Sequence, residues 1–544
     1  MMKERRMKKH FNGRTIGTVC FSLAAAVLLG GCMKLGPDFQ GIKNPPLPKA
    51  WKKNHSTHDA SVVRWWHTFH DPTLDRLIEK AYAQNLDIKS AGLRIAQART
   101  VLGISQGLAF PQLQQLSGQA SSTRTGLGDV ASAGLNFDMG WEMDLWGKYA
   151  RGIEASEAQL YASVASYDNI MVSVIAEVAR NYIDYRTAQE RLTYARRNVV
   201  IQERVTKMTE IQFNSGNVSE LDMQQARTQL YNTRTSIPAV ELTRVKARNA
   251  LAVLLSVDAK AIDRMLQSTK YDSYESANKF IAQHKGIIQI KKGQKGLIGV
   301  NLVPQSSLNP HYHIDANLLT RRPDLKAAEY LAHANAAHLG ASMAELYPSF
   351  TLFGNIGYNA TNKPGSWVAG SDALGVTVGP SFSWNIFQYG RIKNQIRLQD
   401  AVFEESLVNY NKQVLSAVQE VSNALEGYVL TRKQHLENKK AVEATIRAFN
   451  ISVVQYNDGL VNYQRLLTTV EKLTSTQDRF ATIKGNMALN AVALYKALGG
   501  GWQISRGKAY ISRETAEKMK KRTDWGKFLD PEMTRIPKGF DNGQ

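Results

Sequence analysis

Three groups of residues have types and spacings that could do chemistry. Cys32 follows Leu29-Gly30-Gly31 at the end of an apolar run, where small residues let a peptidase approach the backbone and the sulfur can accept a diacylglycerol. His311 and His313 flank Tyr312, a spacing that can offer two imidazoles to a metal. The glycines of KALGGGW could cradle a phosphate. Only the first has a complete context. The histidine pair lacks a third ligand and reads as a solvated loop, and the glycines lack the preceding strand and following helix of a nucleotide fold. No set of residues assembles a catalytic site, so the expectation is a chain that is not an enzyme and holds no cofactor and no metal.

The context of Cys32 is an export signal. MMKERRMKKHFNGR is strongly basic, and TIGTVCFSLAAAVLLGG after it is apolar but short for a membrane span. Residues 1–31 therefore read as a signal peptide whose ending resembles a bacterial lipobox, which implies Cys32 as the lipidated first residue of the mature chain. An ordinary cleavage site beside an incidental thiol is the alternative. Cys20, the other of the two cysteines, leaves with the signal, which excludes disulfide stapling and cysteine metal clusters. Met33, in place of an aspartate, favours passage to the outer membrane.

A chain of 544 residues has room for several domains or one elongated one, and 43% hydrophobic with 21% charged residues is ordinary for a folded protein. The net charge of +21 could serve nucleic acid or an anionic surface. In an exported chain without a nucleic-acid motif, the surface of an anionic envelope or plain solubility is the better reading.

The sequence is internally duplicated. Adding 237 maps Asp87 to Asp324, Ala91 to Ala328, Gly103 to Gly340, Ser105 to Ser342 and Pro111 to Pro348. Adding 243 maps Gly147 to Gly390, Ser163 to Ser406, Glu177 to Glu420, Tyr185 to Tyr428, Gly216 to Gly459 and Val218 to Val461. Only the segment between these blocks differs in length. In it, Leu135, Phe137, Met139, Trp141, Met143 and Leu145 alternate with polar or small residues, as do Leu374, Val376, Val378, Phe382, Trp384 and Ile386 in the second copy. Each has a weaker partner, QLQQLSGQASST and SFTLFGNIGY, across a turn. Two hairpins, four strands in all, suit an outer-membrane barrel. A soluble antiparallel sheet with one buried face would show the same alternation. Four strands cannot close a barrel, and lipid does not tolerate open edges, so several chains must share one.

The remainder reads as long helix. No proline lies between Pro111 and Pro238 or between Pro380 and Pro531, and Val164, Met171, Val178, Tyr185, Leu192 and Val199 recur every seven residues. A helix from Gly147 to Phe213 would be ~100 Å long. It stops at Asn214-Ser215-Gly216-Asn217, and Ser219 can cap a returning helix; the second copy turns at Asn457-Asp458-Gly459. A coiled-coil stalk carries the same heptads.

WWHTFHDPTLDRLIEKAYAQNLDI, EMDLWGKY, RRPDLKAAEYLAHANAAHLGASMAELYPSF, GPSFSWNIFQYGRI and YKALGGGW together resemble the TolC-type outer-membrane efflux channels, in their lipoprotein branch (NodT-, OprM- and CusC-like), from Cys32 to about Trp502. The resemblance implies an α+β membrane protein. Its homotrimer forms a 12-stranded outer-membrane β-barrel, four strands per chain, continued by a long α-helical periplasmic barrel. It implies the organisation 1–31 signal, 32–71 lipidated segment, 72–255 first repeat, 256–317 equatorial segment, 318–502 second repeat, with 503–544 a basic C-terminal extension outside the resemblance. It also implies a passive exit duct in the outer membrane that works with a periplasmic adaptor protein and an inner-membrane RND-type pump, and with no nucleic acid. At the helix tips it implies a gate in which Asp222 faces Tyr456. The arginine of the family pattern is replaced by Val461, with Arg465 one turn further on, and Glu220 and Asp458 are the other carboxylates nearby. Gly216, Val218, Gly459 and Val461 mark the tip turns. A protein-secretion duct and an anchored coiled-coil spacer or adhesin remain as alternatives.

The Leu-Gly-Gly-Cys sequence predicts that mass spectrometry of the mature N-terminus finds an acylated Cys32; an unmodified terminus at another residue would remove the anchor.

Overall fold

A computed structural model of the protein describes residues 33–42, 62–126, 128–267, 302–308, 322–363 and 366–535. The signal peptide, Cys32, His311 and His313 lie outside the described residues, as do most of the equatorial segment and the last nine residues of the chain.

The duplication reappears as matched helices. In the first copy, α1 (Pro72–Gln84) and α2 (Leu86–Gly107) precede the strands, and α3 (Lys148–Asn214) and α4 (Glu220–Leu254) follow them. A short α5 (Ala259–Gln267) comes next. In the second, α6 (Pro323–Ala344) precedes the strands and α7 (Arg391–Asn457) and α8 (Tyr463–Ala497) follow. Helices α3 and α7 are each 67 residues long, α4 and α8 each 35, and α2 and α6 each 22. Two helices therefore lead into the first hairpin, and one leads into the second. Pro238 lies inside α4 without ending it, at the loss of one backbone hydrogen bond.

Contacts divide the chain into two units. One consists of Met1–Ile42, Gln97–Ala162 and Ala328–Asn409, and the other of Lys43–Ala96, Ser163–Ala327 and Tyr410–Gln544.

The first unit holds an antiparallel sheet of β1 (Leu113–Thr125), β2 (Gly128–Met143), β3 (Ser349–Lys363), β4 (Ser366–Val368) and β5 (Leu374–Ser383). Its order is β1-β2-β3, with both β4 and β5 on the far side of β3. The expected four strands are thus joined by a fifth. β3 runs past the end of β5, and the three residues of β4 pair with that overhang, from Thr361 to Lys363. β5 also stops at Ser383, so Trp384 and Ile386 continue the alternation beyond the ladder.

The second unit is helical. The heptad residues Val164, Met171, Val178, Tyr185 and Leu192 are buried, while Val199 is half-buried. Two buried polar clusters tie its segments together. The Tyr182 hydroxyl donates to Asp71 Oδ2 at 2.6 Å, while Asp71 Oδ1 accepts from Thr73 N and Leu74 N and so caps α1. Arg186 donates to that same hydroxyl and to Leu266 O. Further along α3, Glu190 is 0% exposed and pairs with Lys484 of α8 at 3.0 Å. Its Oε2 also accepts from Leu302 N and Val303 N, so one carboxylate joins both repeats to the equatorial segment. Desolvation raises the Glu190 carboxyl above its ordinary range, and Lys484 and the two amides oppose that rise.

Glu190→Ala leaves the Lys484 ammonium buried without its carboxylate, so a loss of about 3–5 kcal/mol is expected. Thermal melting in detergent should show a clearly lowered transition, with Glu190→Met/Lys484→Met recovering much of it; an unchanged melt for the single variant would contradict the role given to the pair.

Candidate functional site

The sheet offers one apolar and one polar face. Register places Leu116, Phe137, Ile356 and Val376 in one row across β1, β2, β3 and β5. Flanking rows carry Leu135, Tyr358 and Leu374 on one side and Met139 and Val378 on the other, followed by Trp141 with Leu352 and Met143 with Phe350 and Phe382. Most of these side chains are exposed in the single chain, with Trp141, Met143 and Phe350 half-buried; Leu116 and Val376 are each 67% exposed and Phe382 is 71% exposed. From Leu135 to Met143 the rows span about 27 Å along the strand, close to the ~25 Å apolar band of an outer-membrane barrel.

The opposite face is hydrogen-bonded within itself. Asn136 and Asn359 exchange amide hydrogen bonds at 3.3 and 3.1 Å, and Asn355 Nδ2 donates to Asp138 Oδ1 at 2.7 Å. Among the described residues, no strand pairs with the outer edge of β1 or of β5.

Where the strands give way to helix, indole and phenol groups gather. Trp146 Nε1 donates to Pro348 O at 2.7 Å and its ring stacks on Tyr347, while Trp384 Nε1 donates to Leu346 O. Asp144 accepts from Tyr149 N and Ala150 N and so starts α3. The chain immediately after Cys32 is fixed at the same junction. Leu35 N donates to Trp146 O, and the buried Arg151 guanidinium donates to Leu35 O, Gly36 O and Asp38 Oδ1, as well as to Glu154 Oε2. This arginine clamp went unread in the sequence, where Arg151 is one of many helical cations.

At the far ends of α3 and α7 the two copies turn alike. Gly216 and Gly459 have φ of +76° and +71°, the left-handed conformation in which a side chain would be strained. Asn217 N reaches back to Gln212 O and Leu460 N to Gln455 O, which satisfies the helix-end carbonyls. Ser219 then caps α4 and Asn462 caps α8. Val218 and Val461 are half-buried, and Glu220, Asp458 and Arg465 are exposed.

The structure brings Asp222 and Tyr456 to this one end without a hydrogen bond between them. Asp222 Oδ2 accepts from Ser219 N and Ser219 Oγ, closing a reciprocal cap. Tyr456 is buried, packs edge-on against Tyr463, and its hydroxyl makes no hydrogen bond among the described residues. Burial raises this phenol above its ordinary range, the adjacent Thr209 hydroxyl opposes the rise, and the Asp222 carboxylate adds to it. Tyr463 is shifted upward in the same way, first by burial and then by Tyr456 and Asp222. Val461, standing at the family's arginine position, packs against this aromatic cluster. Tyr463 was missed in the sequence; its signal was an aromatic residue directly after the capping Asn462.

Residues 77–257 and again 316–500 match the family described as outer membrane efflux protein. The chain belongs to that family. It is 26% identical over 492 residues to the probable outer membrane lipoprotein SilC of Salmonella typhimurium, covering 88% of this chain and 98% of SilC. It is also 26% identical over 506 residues to the toluene efflux pump outer membrane protein TtgF of Pseudomonas putida, covering 88% of this chain and 96% of TtgF. The solved outer-membrane channel OprN superposes with a TM-score of 0.70 at 27% identity, over 86% of this chain and 100% of OprN. The two matched stretches are the two copies found by self-comparison. The basic extension lies beyond the second.

Ser219→Ala removes the cap at the start of α4, a loss of about 1 kcal/mol. Amide exchange over Glu220–Met223 should quicken roughly fivefold; unchanged exchange there would show that Asp222 alone holds the turn.

Proposed function

We propose that the protein is the outer-membrane exit duct of a tripartite efflux system, passively conducting small toxic compounds from the periplasm to the exterior. The observation that carries this reading is the sheet: its apolar rows cross four strands and, among the described residues, its two long edges lack partners. Three copies would complete both edges of every sheet in one barrel of twelve long strands, with the Asn and Asp face lining the conduit. The paired helices would carry the conduit into the periplasm and present their turns to an adaptor and, through it, to an inner-membrane pump that supplies the energy. The efflux role named for TtgF and the channel named for OprN support the same reading.

Cys32 would anchor the chain by its acyl groups. The Arg151 clamp supports this, because it holds the residues that follow Cys32 beside Trp146 and Tyr347, the aromatic pair suited to a membrane interface.

The entrance is read as the tip at Gly216 and Gly459. Asp222 holds the start of α4, Tyr456 and Tyr463 fill the space behind it, and the three copies of this cluster narrow the opening. In planar bilayers the purified protein should conduct without any pump. Asp222→Ala/Tyr456→Phe should raise its resting conductance severalfold while mass measurement still gives three chains. A trimeric variant that conducts like its parent would move the closure to Asp458, Glu220 or Arg465, and a parent that never conducts would favour a stalk without a pore.

A further inference from the structure

The family match ends at residue 500, yet the chain folds well beyond it. Residues 502–535 form a 3-10 turn, a helix α9 (Arg513–Arg522), a second 3-10 turn and an isolated bridge between Ala509 and Arg535. This extension is seated on the helices of its own unit by specific contacts. Arg506 lies over the Trp502 ring at 4.3 Å and donates to Asp168 Oδ2 of α3, and Lys508 sits over the Tyr82 ring of α1 at 4.5 Å. Tyr510 O approaches α2 so closely that a Cβ on Gly92 would lie 2.0 Å from it. Tyr510, Ile511, Met519 and Leu529 are buried, and Tyr510 N and Oη donate to Thr534 O and Met533 O.

Helix α9 itself adds little to that seating, since Met519 is its one buried residue. Apart from the half-buried Thr515 and Ala516, its remaining positions are charged and exposed, and the acids among them are already paired. Glu517 is held by Arg513 and Glu514 by Lys518, while Lys520 reaches Asp530 at 3.6 Å. Lys518 first, and more weakly Lys89 of α2, hold the Glu514 carboxyl below its ordinary range. Lys521, Arg522 and Lys527 are exposed and form no ion pair among the described residues. Lys518, Lys521 and Arg522 stand three and four residues apart and so share one side of the helix. Three basic residues in the last turn complement the helix carbonyls, but that effect fades within a turn. It does not call for Lys527, for Lys89 on another helix, or for a docked platform that holds them in place.

We propose that this basic ridge is a docking surface for a carboxylate-bearing polymer of the envelope, the peptide stems of the cell wall. The proposal rests on the reading of the protein as a duct whose helices stand in the periplasm, where that polymer is the extended anion such a surface would meet. A rigid row of cations suits a repeating anion, because many weak contacts add without any deep pocket. Three extensions on one duct would grip the wall at several points.

The test uses the full-length protein in mild detergent, with purified cell-wall sacculi as the probe and planar-bilayer conductance as a parallel readout. The parent should co-sediment with sacculi in a salt-sensitive way. Lys518→Glu/Lys521→Glu/Arg522→Glu should weaken that binding roughly tenfold or more while conductance stays at the parental level. Lys518→Gln/Lys521→Gln/Arg522→Gln, which keeps good helix formers at all three positions, should lose binding to a smaller degree and flatten its salt dependence. Equal sedimentation of the parent and the glutamine variant would overturn the proposal, as would parental binding to anionic phosphatidylglycerol vesicles in place of sacculi. A parent that conducts but does not sediment would overturn the docking surface alone, whereas a parent that does not conduct would overturn the duct.

Discussion

A backbone amide in hydrocarbon has no water to turn to, and each one left without a partner costs several kcal/mol. The long strands of this chain carry apolar rows matched in height to a bilayer, but among the described residues the outer edges of β1 and β5 are open. An exposed apolar sheet with two free edges is unstable in water and in lipid alike. Association with further copies, edge to edge, satisfies both constraints at once. On the proposed reading the same association sets the bore, because the polar side chains behind the apolar rows then face one shared lumen. The β2–β3 pair at the centre of the sheet is already knitted on that side by Asn136, Asn359, Asn355 and Asp138.

The helices are matched by the duplication. A duplicated unit gives α3 and α7 the same length and the same turn, so their ends arrive at comparable positions in the two repeats. An apolar cluster drawn from both repeats, including Tyr194, Ile201, Val442, Ile446 and Phe449, is joined by buried polar ties. Glu190 joins α3, α8 and the backbone at Leu302 and Val303, while Asp71, Tyr182 and Arg186 join α1, α3 and the chain near Leu266. Buried ionic contacts of this kind add little net stability over an apolar replacement, but they penalise any arrangement that separates the partners. They suit long, repetitive helices, for which a shift of one heptad would otherwise cost little.

Much of this was legible in the residues. The offsets of 237 and 243 reproduce the helix boundaries, since α2 maps onto α6 and α3 and α4 onto α7 and α8. The glycine turns and the Ser219 cap follow from local backbone chemistry and were readable for the same reason. Features that depend on distant segments meeting were not. β4 exists because β3 overhangs β5, which alternation within one strand cannot show. The Arg151 clamp joins residues more than a hundred positions apart, and no spacing marks it. At the tip the resemblance suggested a direct Asp222–Tyr456 contact, whereas the carboxylate is engaged by Ser219 of its own turn and the phenol is buried with Tyr463. The folded extension had no pattern to follow, because its order comes from docking onto α1, α2 and α3.

Covalent capture of the missing edges tests the account most directly. A cysteine at Ser117 of β1 combined in turn with one at Gly375, Thr377 or Gly379 of β5 places thiols on the same polar face of the two edge strands. After oxidation in native outer membranes, at least one of these pairs should give a ladder on a non-reducing gel that stops at three chains. Monomer alone for every pair, or a ladder that continues past three, would contradict a barrel closed by three copies.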